Sequence, residues 1–367
     1  MFLFNNFDLD FVATYSLLLI AVLSFRFIYN TRAPRAPIMI NRRGGARIPF
    51  RRNPLVPPPD PHPPTPTTSY EVSPEDVTQV KDILAKSRNL PPELVDMIID
   101  RAEYWACATT SINYPSHISV RGGRPGEDQF LLRTAPLGLK WTPASEDIWR
   151  VESEPKQLEQ EYPPPELEKL VDPPMSTLEN PFRRVVFDIV SRDQGWSGHH
   201  TDHGTYRSSF TWFDAGLERF DMNNNCSSTC PDQLNKGSSE SSSSIPTCAI
   251  RPVWPSVVPS DGGAPGMRYH HETLPNEDHL IQRNKHAEKS WHHHHVEWSW
   301  DDNVDPSETD SPAVRELENA GRGMGTGNGE FVRNLKYGDM ITVWGRARFL
   351  GWSNNIQRVE VKVYWAF

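Results

Sequence analysis

A chain of 367 residues is long enough for two domains, but 34 prolines and a mean hydropathy of −0.59 exclude one that is packed throughout. The net charge of −9 is modest and uneven, basic over the first sixty or so residues and acidic beyond, so it singles out no class of partner and gives no reason to expect nucleic acid. Four cysteines, Cys107, Cys226, Cys230 and Cys248, lack the regular spacing of a disulfide framework and read as reduced thiols.

Residues 11–25 form an unbroken apolar run, FVATYSLLLIAVLSF, which Phe27, Ile28 and Tyr29 extend past Arg26. Its length is close to the ~20 residues that cross a hydrocarbon core. Arginines follow the run instead of preceding it, which favours an uncleaved anchor over a secretory signal. Asp8 and Asp10 lie before it; Arg26, Arg32, Arg35, Arg42, Arg43, Arg47, Arg51 and Arg52 lie after it. That asymmetry predicts an external N-terminus and a cytosolic body. The chain thus divides into an anchor over 1–30 and a basic, proline-rich linker over 31–72, whose 54–66 stretch (PLVPPPDPHPPTP) reads as an extended spacer. A short, moderately hydrophobic anchor with basic residues on its C-terminal side resembles the signal anchors of mitochondrial outer-membrane proteins. The endoplasmic reticulum remains equally open.

A helical hairpin is predicted over 73–106. Ser73-Pro74-Glu75 opens the first helix with a capping serine, a proline and an acid, and Val77, Val80, Ile83 and Leu84 share one face. In the second, Leu94, Met97, Ile98 and Arg101 stack at helical spacing, with Val95, Ile99 and Ala102 beside them. The phrase Leu90-Pro91-Pro92-Glu93-Leu94-Val95 resembles the opening of an F-box. The resemblance covers about sixteen residues. It implies docking on a Skp1-type ubiquitin-ligase adaptor through Leu90, Pro91 and Leu94. A complete F-box has two further helices, and the pattern here decays after Trp105. The plainer alternative is a hairpin that only packs on the rest of the fold.

Residues 107–180 read as a linker with one edge strand at 130–134, and the acidic, proline-broken 152–168 as solvated. From 181 onward the texture is β. Strands are predicted at 184–192, 205–213, 279–286 and 291–300, with a turn at 195–198 and a serine-rich disordered insertion at 223–263. Glycines between 321 and 329 read as a flexible connection. Two alternating stretches, 340–349 and 356–365, close the chain as a hairpin around a Gly351–Asn355 turn. Strands without intervening helices predict a mainly β fold: an antiparallel, sandwich or jelly-roll-like domain over 181–367, preceded by the small helical hairpin and the transmembrane helix.

No catalytic motif is present, so a non-enzymatic protein without cofactor is expected. In the run His292-His293-His294-His295 a strand sends alternate side chains to opposite faces, and a pair two apart can chelate a transition metal. His199, His200, His203, His270 and His271 are further candidate ligands for a metal-dependent enzyme, the rival reading. No zinc-enzyme spacing accompanies them, and no metal ligands are assigned. Cys226, Cys230 and Cys248 lie in the serine-rich insertion and are treated the same way. In the 340–349 strand, Thr342, Trp344, Arg346 and Arg348 are expected to face outward. Trp344, Arg346, Arg348 and Trp352 then form a candidate binding surface for a protein partner or a glycan, since aromatic and arginine side chains stack on sugars and build interaction hot spots. The phrases Gln282-Arg283-Asn284, Gly329-Glu330-Phe331-Val332-Arg333, Gly338-Asp339, Trp344-Gly345-Arg346-Ala347-Arg348-Phe349 and Val363-Tyr364-Trp365-Ala366 resemble a β-sandwich found in fungal proteins of unknown function. An F-box followed by a galactose-binding-like sandwich is also the layout of sugar-recognising ubiquitin-ligase receptors.

Overall fold

The computed structural model describes residues 71–140, 146–171, 175–176, 178–223, 245–261 and 266–367. The predicted anchor, the proline-rich linker, Cys226, Cys230 and most of the serine-rich insertion lie outside the described residues. Among the described residues no helix is long and apolar enough to cross a membrane.

The helical hairpin forms where its caps require it. In α1 (Pro74–Arg88), Ser73 Oγ accepts from Asp76 N–H at 3.2 Å and Asp76 Oδ2 accepts from Ser73 N–H at 2.8 Å. Two otherwise unpaired amides are satisfied reciprocally, and Asn89 ends the helix in the left-handed conformation. α2 (Pro92–Arg101) begins three positions after Asn89. Val77, Val95 and Ile99 enter the main core, with Val80, Leu84 and Leu90 packed at its edge. Ile83, Leu94 and Met97 turn outward instead, because the side of α2 that meets the sheet carries Val95 and Ile99.

The strands follow in chain order: β1 (Ala106–Arg121), β2 (Asp128–Arg133), then the short α3 (Pro164–Glu168), β3 (Phe182–Arg192), β4 (Thr211–Phe220), β5 (Ile250–Trp254), β6 (Val257–Pro259), β7 (Met267–Tyr269), β8 (Leu280–Arg283) and β9 (His292–Ser299). After α4 (Pro312–Asn319) and α5 (Glu330–Arg333) come β10 (Met340–Ala347) and β11 (Ser353–Trp365). All pairings are antiparallel. One sheet runs β1-β11-β3-β9; the second runs β2-β10-β4-β5 with β8 also on β4; β6 and β7 make a separate ribbon. The two sheets bury their inner sides in a single cluster. Val359, Val361 and Val363 of β11 and Val185, Phe187 and Ile189 of β3 share it with Leu131, Phe213, Ala215, Ile341 and Val343 of the other sheet.

Several expectations are corrected. The last two strands are not a hairpin: β10 pairs with β2 and β4, and β11 with β1 and β3. The link between them crosses from one sheet to the other. Residues 107–180 do not read as a plain linker, since they hold β1, the longest strand. Its sequence concealed it because β1 is a sheet edge whose register shifts between Asn113 and Ile118, around Pro115, and only a few of its side chains are buried. The strand expected at 205–213 begins at Thr211 and runs to Phe220. Within 223–263, Ile250–Trp254 and Val257–Pro259 are strands. The glycine-rich stretch is packed: Met324–Asn328 is a 3₁₀ helix, and a Cβ on Gly323 would lie 2.2 Å from the carbonyl oxygen of Glu277. Glycine is there because backbone approaches backbone.

Candidate functional site

Four connections pass between the two sheets at one end of the fold: 122–127 (β1 to β2), 193–210 (β3 to β4), 284–291 (β8 to β9) and 348–352 (β10 to β11). Their contacts hold them together. Gly122 N–H donates to Trp352 O at 3.0 Å, and a Cβ on Gly122 would lie 2.4 Å from Phe349 O. Asp193 accepts from the amides of Gly195 and Ala287, tying the 193–210 and 284–291 connections to each other.

Beneath the loops, two fully buried asparagines join the sheets. Asn284 Nδ2 donates to Thr211 Oγ1 at 3.1 Å and to Asn354 Oδ1 at 2.9 Å, while its own oxygen accepts from Ser191 Oγ at 2.7 Å. Asn354 Nδ2 donates to Trp212 O at 3.0 Å and Arg346 O at 3.3 Å. A buried amide network that is fully satisfied specifies one arrangement of its neighbours, so the loop bases are held rigidly.

On that base sits an aromatic surface. Phe210 meets Phe349 edge-on at 4.7 Å and Trp352 edge-on at 5.2 Å, and Trp352 packs on the buried His286 at 5.1 Å. Outside them Leu350 is 76 %, Trp196 62 % and Phe349 48 % exposed. Trp196 lies against Gly351, whose Cβ, if present, would be 3.4 Å from the indole. Phe349 has φ +64°, a left-handed conformation unfavourable for a bulky residue. Such strain persists where surrounding contacts over-determine it, and it is common at ligand clamps. Arg121, the last residue of β1, and Arg124, on the adjoining turn, stand exposed. Rigid, adjacent, solvent-facing aromatics can stack on a sugar ring or seat apolar side chains.

Of the residues expected here, only Trp352 belongs to this surface, half-buried at its base. Trp344, Arg346 and Arg348 are 1 %, 2 % and 4 % exposed, so the expectation that they face solvent is corrected. Residues 148–153 and 269–272 cover that side of β10. Tyr269 and His271 pack on Trp344 at 5.3 and 5.0 Å, and Arg348 Nη2 donates to Glu272 O at 2.7 Å. Arg133, also buried, pairs with Glu218 and donates to the carbonyls of Ile148 and Val151. Ser153, from the stretch expected to be solvated, donates to Glu218 Oε1 at 2.7 Å.

The covered face is an ionic network. Arg346 donates to Asp214 Oδ2 at 2.9 Å, Asp128 Oδ1 at 2.8 Å and His271 Nδ1 at 2.7 Å, and Arg348 reaches Asp128 Oδ1 at 2.7 Å. Burial pushes the Asp214 carboxyl up to about 6 despite Arg346. Burial, helped by Arg346, brings His271 down to about 3, consistent with a neutral ring accepting from the guanidinium. For Asp128 burial acts upward, but the Arg346 and Arg348 cations outweigh it and hold the acid below its usual value. With partners on each cation, this face is built for internal cohesion.

A cleft of about 320 Å³, lined by Tyr162, Leu167, Met175 and Tyr337, has its basic groups similarly engaged: Arg219 pairs with Asp339 and Glu161, and Lys336 with Glu161. In the hairpin Leu90 is half-buried, Pro91 is exposed and Leu94 is 40 % exposed. The histidine run alternates as expected in β9, with His294 buried and His293 and His295 outward. Among the described residues no group of three or more His, Cys, Asp or Glu side chains is placed so that it could hold a metal ion. No family model, curated protein or solved structure matches the chain.

The loop-end surface was not legible in the sequence. Trp196, Phe210, Phe349, Leu350 and Trp352 come from two loops more than a hundred residues apart, and only the Trp-rich texture around 344–352 hinted at it.

Proposed function

We propose that the chain is a membrane-tethered, non-catalytic recognition protein whose β-domain binds its ligand through the loop end. Residues 11–29 serve as the anchor, with the body in the cytosol, and the paired sheets are read as a jelly-roll-like β-sandwich. The observation that carries this reading is the exposed trio Trp196, Phe349 and Leu350 on a rigid four-loop base. Loops fixed by a stable scaffold are where binding residues concentrate, and contiguous exposed apolar side chains mark interaction sites. The ligand class is a glycan or an apolar peptide segment. The test is a glycan and peptide array probed with full-length wild type and with a Trp196→Ala, Leu350→Ser double variant. Both side chains are exposed, so stability is expected to hold while affinity for any captured ligand falls ~30-fold, the size of a hot-spot loss of about 2 kcal/mol. Equal binding by both proteins would remove the loop end as the site.

A second reading has its own support. The F-box-like hairpin leaves Leu94 and Met97 of α2, and Ile83 of α1, exposed to solvent. An adaptor of the Skp1 type docking there would cover them, as the resemblance at Leu90, Pro91 and Leu94 implies. Leu94→Asp with Met97→Asp is then expected to abolish recovery of Skp1 and cullin from detergent-solubilised cells. Leu90 is left alone because it packs on the core. Undiminished recovery by the variant, or no adaptor with wild type, ends that reading.

A further inference from the structure

Taking the loop end as the recognition site, we infer that a polar cleft beside its aromatic surface binds an uncharged sugar unit, which makes the ligand a glycan. Asp202, Tyr206 and Arg207 of the 193–210 connection line this cleft of about 430 Å³, with Lys285 of the 284–291 connection and Glu318 and Asn319 of α4. Small-ligand sites occupy ~300–1,000 Å³. His286 is the wall shared with the aromatic surface. Its ring packs on Trp352 at 5.1 Å and on His203 at 5.6 Å. Its amide donates to Thr205 O at 2.7 Å, its Nδ1 donates to Arg207 O at 3.0 Å, and its carbonyl accepts from Gly204 N–H at 2.8 Å. Ser208 Oγ donates to Asp202 Oδ2 at 2.7 Å, which orients that carboxylate. A Cβ on Gly321 would lie 2.5 Å from the Tyr206 ring, and the Lys285 ammonium stands 5.9 Å from the ring centroid. Ser208 and Ala287, next to Arg207 and His286, hold left-handed conformations at φ +54° and +57°. Such strain is common at ligand clamps.

The polar groups of the cleft have bonding capacity to spare. Among the described residues the Lys285 ammonium, the Arg207 guanidinium and the Glu318 carboxylate make no hydrogen bond or ion pair, although acid and base line the same space. Two acids against two bases leave no net charge to select a phosphate or a carboxylate. The neighbouring Arg322 is engaged at β9, where it donates to His295 O at 3.0 Å. One phenol ring and no aliphatic side chain among the lining residues give an apolar peptide little to bury. Sugar hydroxyls donate and accept at once, so they satisfy ammonium, guanidinium and carboxylate together.

The test is saturation-transfer NMR of the full-length chain in a sugar-free detergent, with glucose, galactose, mannose and N-acetylglucosamine, and with glucuronate as the anionic counterpart. Wild type is compared with Lys285→Met, with Glu318→Ala and with the Trp196→Ala, Leu350→Ser double variant. Far-UV circular dichroism checks that each is folded. Wild type is expected to bind at least one uncharged sugar, and each cleft variant to weaken it at least ~10-fold, as loss of a hydrogen bond to a charged group does. The double variant is expected to keep the single sugar, because neither of its side chains lines the cleft. Binding of no uncharged sugar, binding of glucuronate alone, or undiminished binding by both cleft variants overturns the inference. A glycan captured on the array and lost by the double variant, but by neither cleft variant, would overturn the cleft and leave the loop end standing. Sugar lost by the cleft variants, with array binding untouched in the double variant, would uphold the cleft and remove the aromatic surface.

Discussion

Replacing Arg346 by methionine is expected to destabilise the fold by about 3–5 kcal/mol, the loss typical of removing one partner from a buried ion pair. Arg346 is 2 % exposed and serves Asp214, Asp128 and His271 at once, with its guanidinium over Trp344 at 5.0 Å. Methionine preserves much of the volume, so the effect isolates the charge. The pH dependence distinguishes this account from a packing defect. Burial already raises Asp214 from the ordinary 3.8 to about 6 with Arg346 present. An acid whose folded pKa is raised binds more protons in the folded than in the unfolded state between the two values, so its contribution falls as pH rises through that window. Without Arg346 the window extends upward. Asp128 loses part of what holds it low, and His271 loses a cation that suppresses its protonation; both changes favour the folded variant at lower pH. Urea unfolding of the variant should therefore show a larger deficit at pH 8 than at pH 5. Adding Asp214→Asn should recover part of it at pH 8. A deficit independent of pH would assign the loss to packing alone.

Acid should weaken the fold through His294. Burial, with His292, His293 and Lys285 adding to it, brings this imidazole from 6.5 to about 3. It is 5 % exposed, its Nε2 has no partner, and Tyr206 is its aromatic neighbour at 6.3 Å. Between pH 3 and 6.5 the unfolded chain binds a proton that the folded chain refuses. Stability from this group is thus complete above 6.5 and lost as pH falls. Two pH units below 6.5 correspond to about 3 kcal/mol. His294→Gln removes the proton linkage, so the stability of wild type minus variant should drop by about that amount between pH 7 and pH 4.5. Asp214, raised to about 6, pulls the other way in both proteins and cancels in the difference. Parallel pH curves for wild type and His294→Gln would show that the imidazole is not held neutral.

Local chemistry made part of this architecture readable in advance. The reciprocal cap of Ser73 and Asp76 involves residues three apart, and the apolar face of β11, Val359, Val361, Val363 and Trp365, is a two-residue period. β3 and β9 were legible for the same reason: each strand has its inner face on a shared core and alternates accordingly. β1 was not, because an edge strand with a bulge buries too little to show a period.

What the sequence by itself determined is the mainly β character, the capped hairpin and most strand positions, since those depend on neighbours within a turn or a pleat. Only the tertiary structure decided that β10 and β11 belong to different sheets and that both faces of β10 are covered. Arg346 and Asp128 meet across 218 positions, and Asn284 and Asn354 across 70. Alternation along β10 separates its two faces, but the segment that covers the second face comes from residues 148–153 and 269–272. The exposed aromatic surface followed from the same non-local step. It exists because four connections between sheets converge at one end, and no periodicity within any one of them records the others.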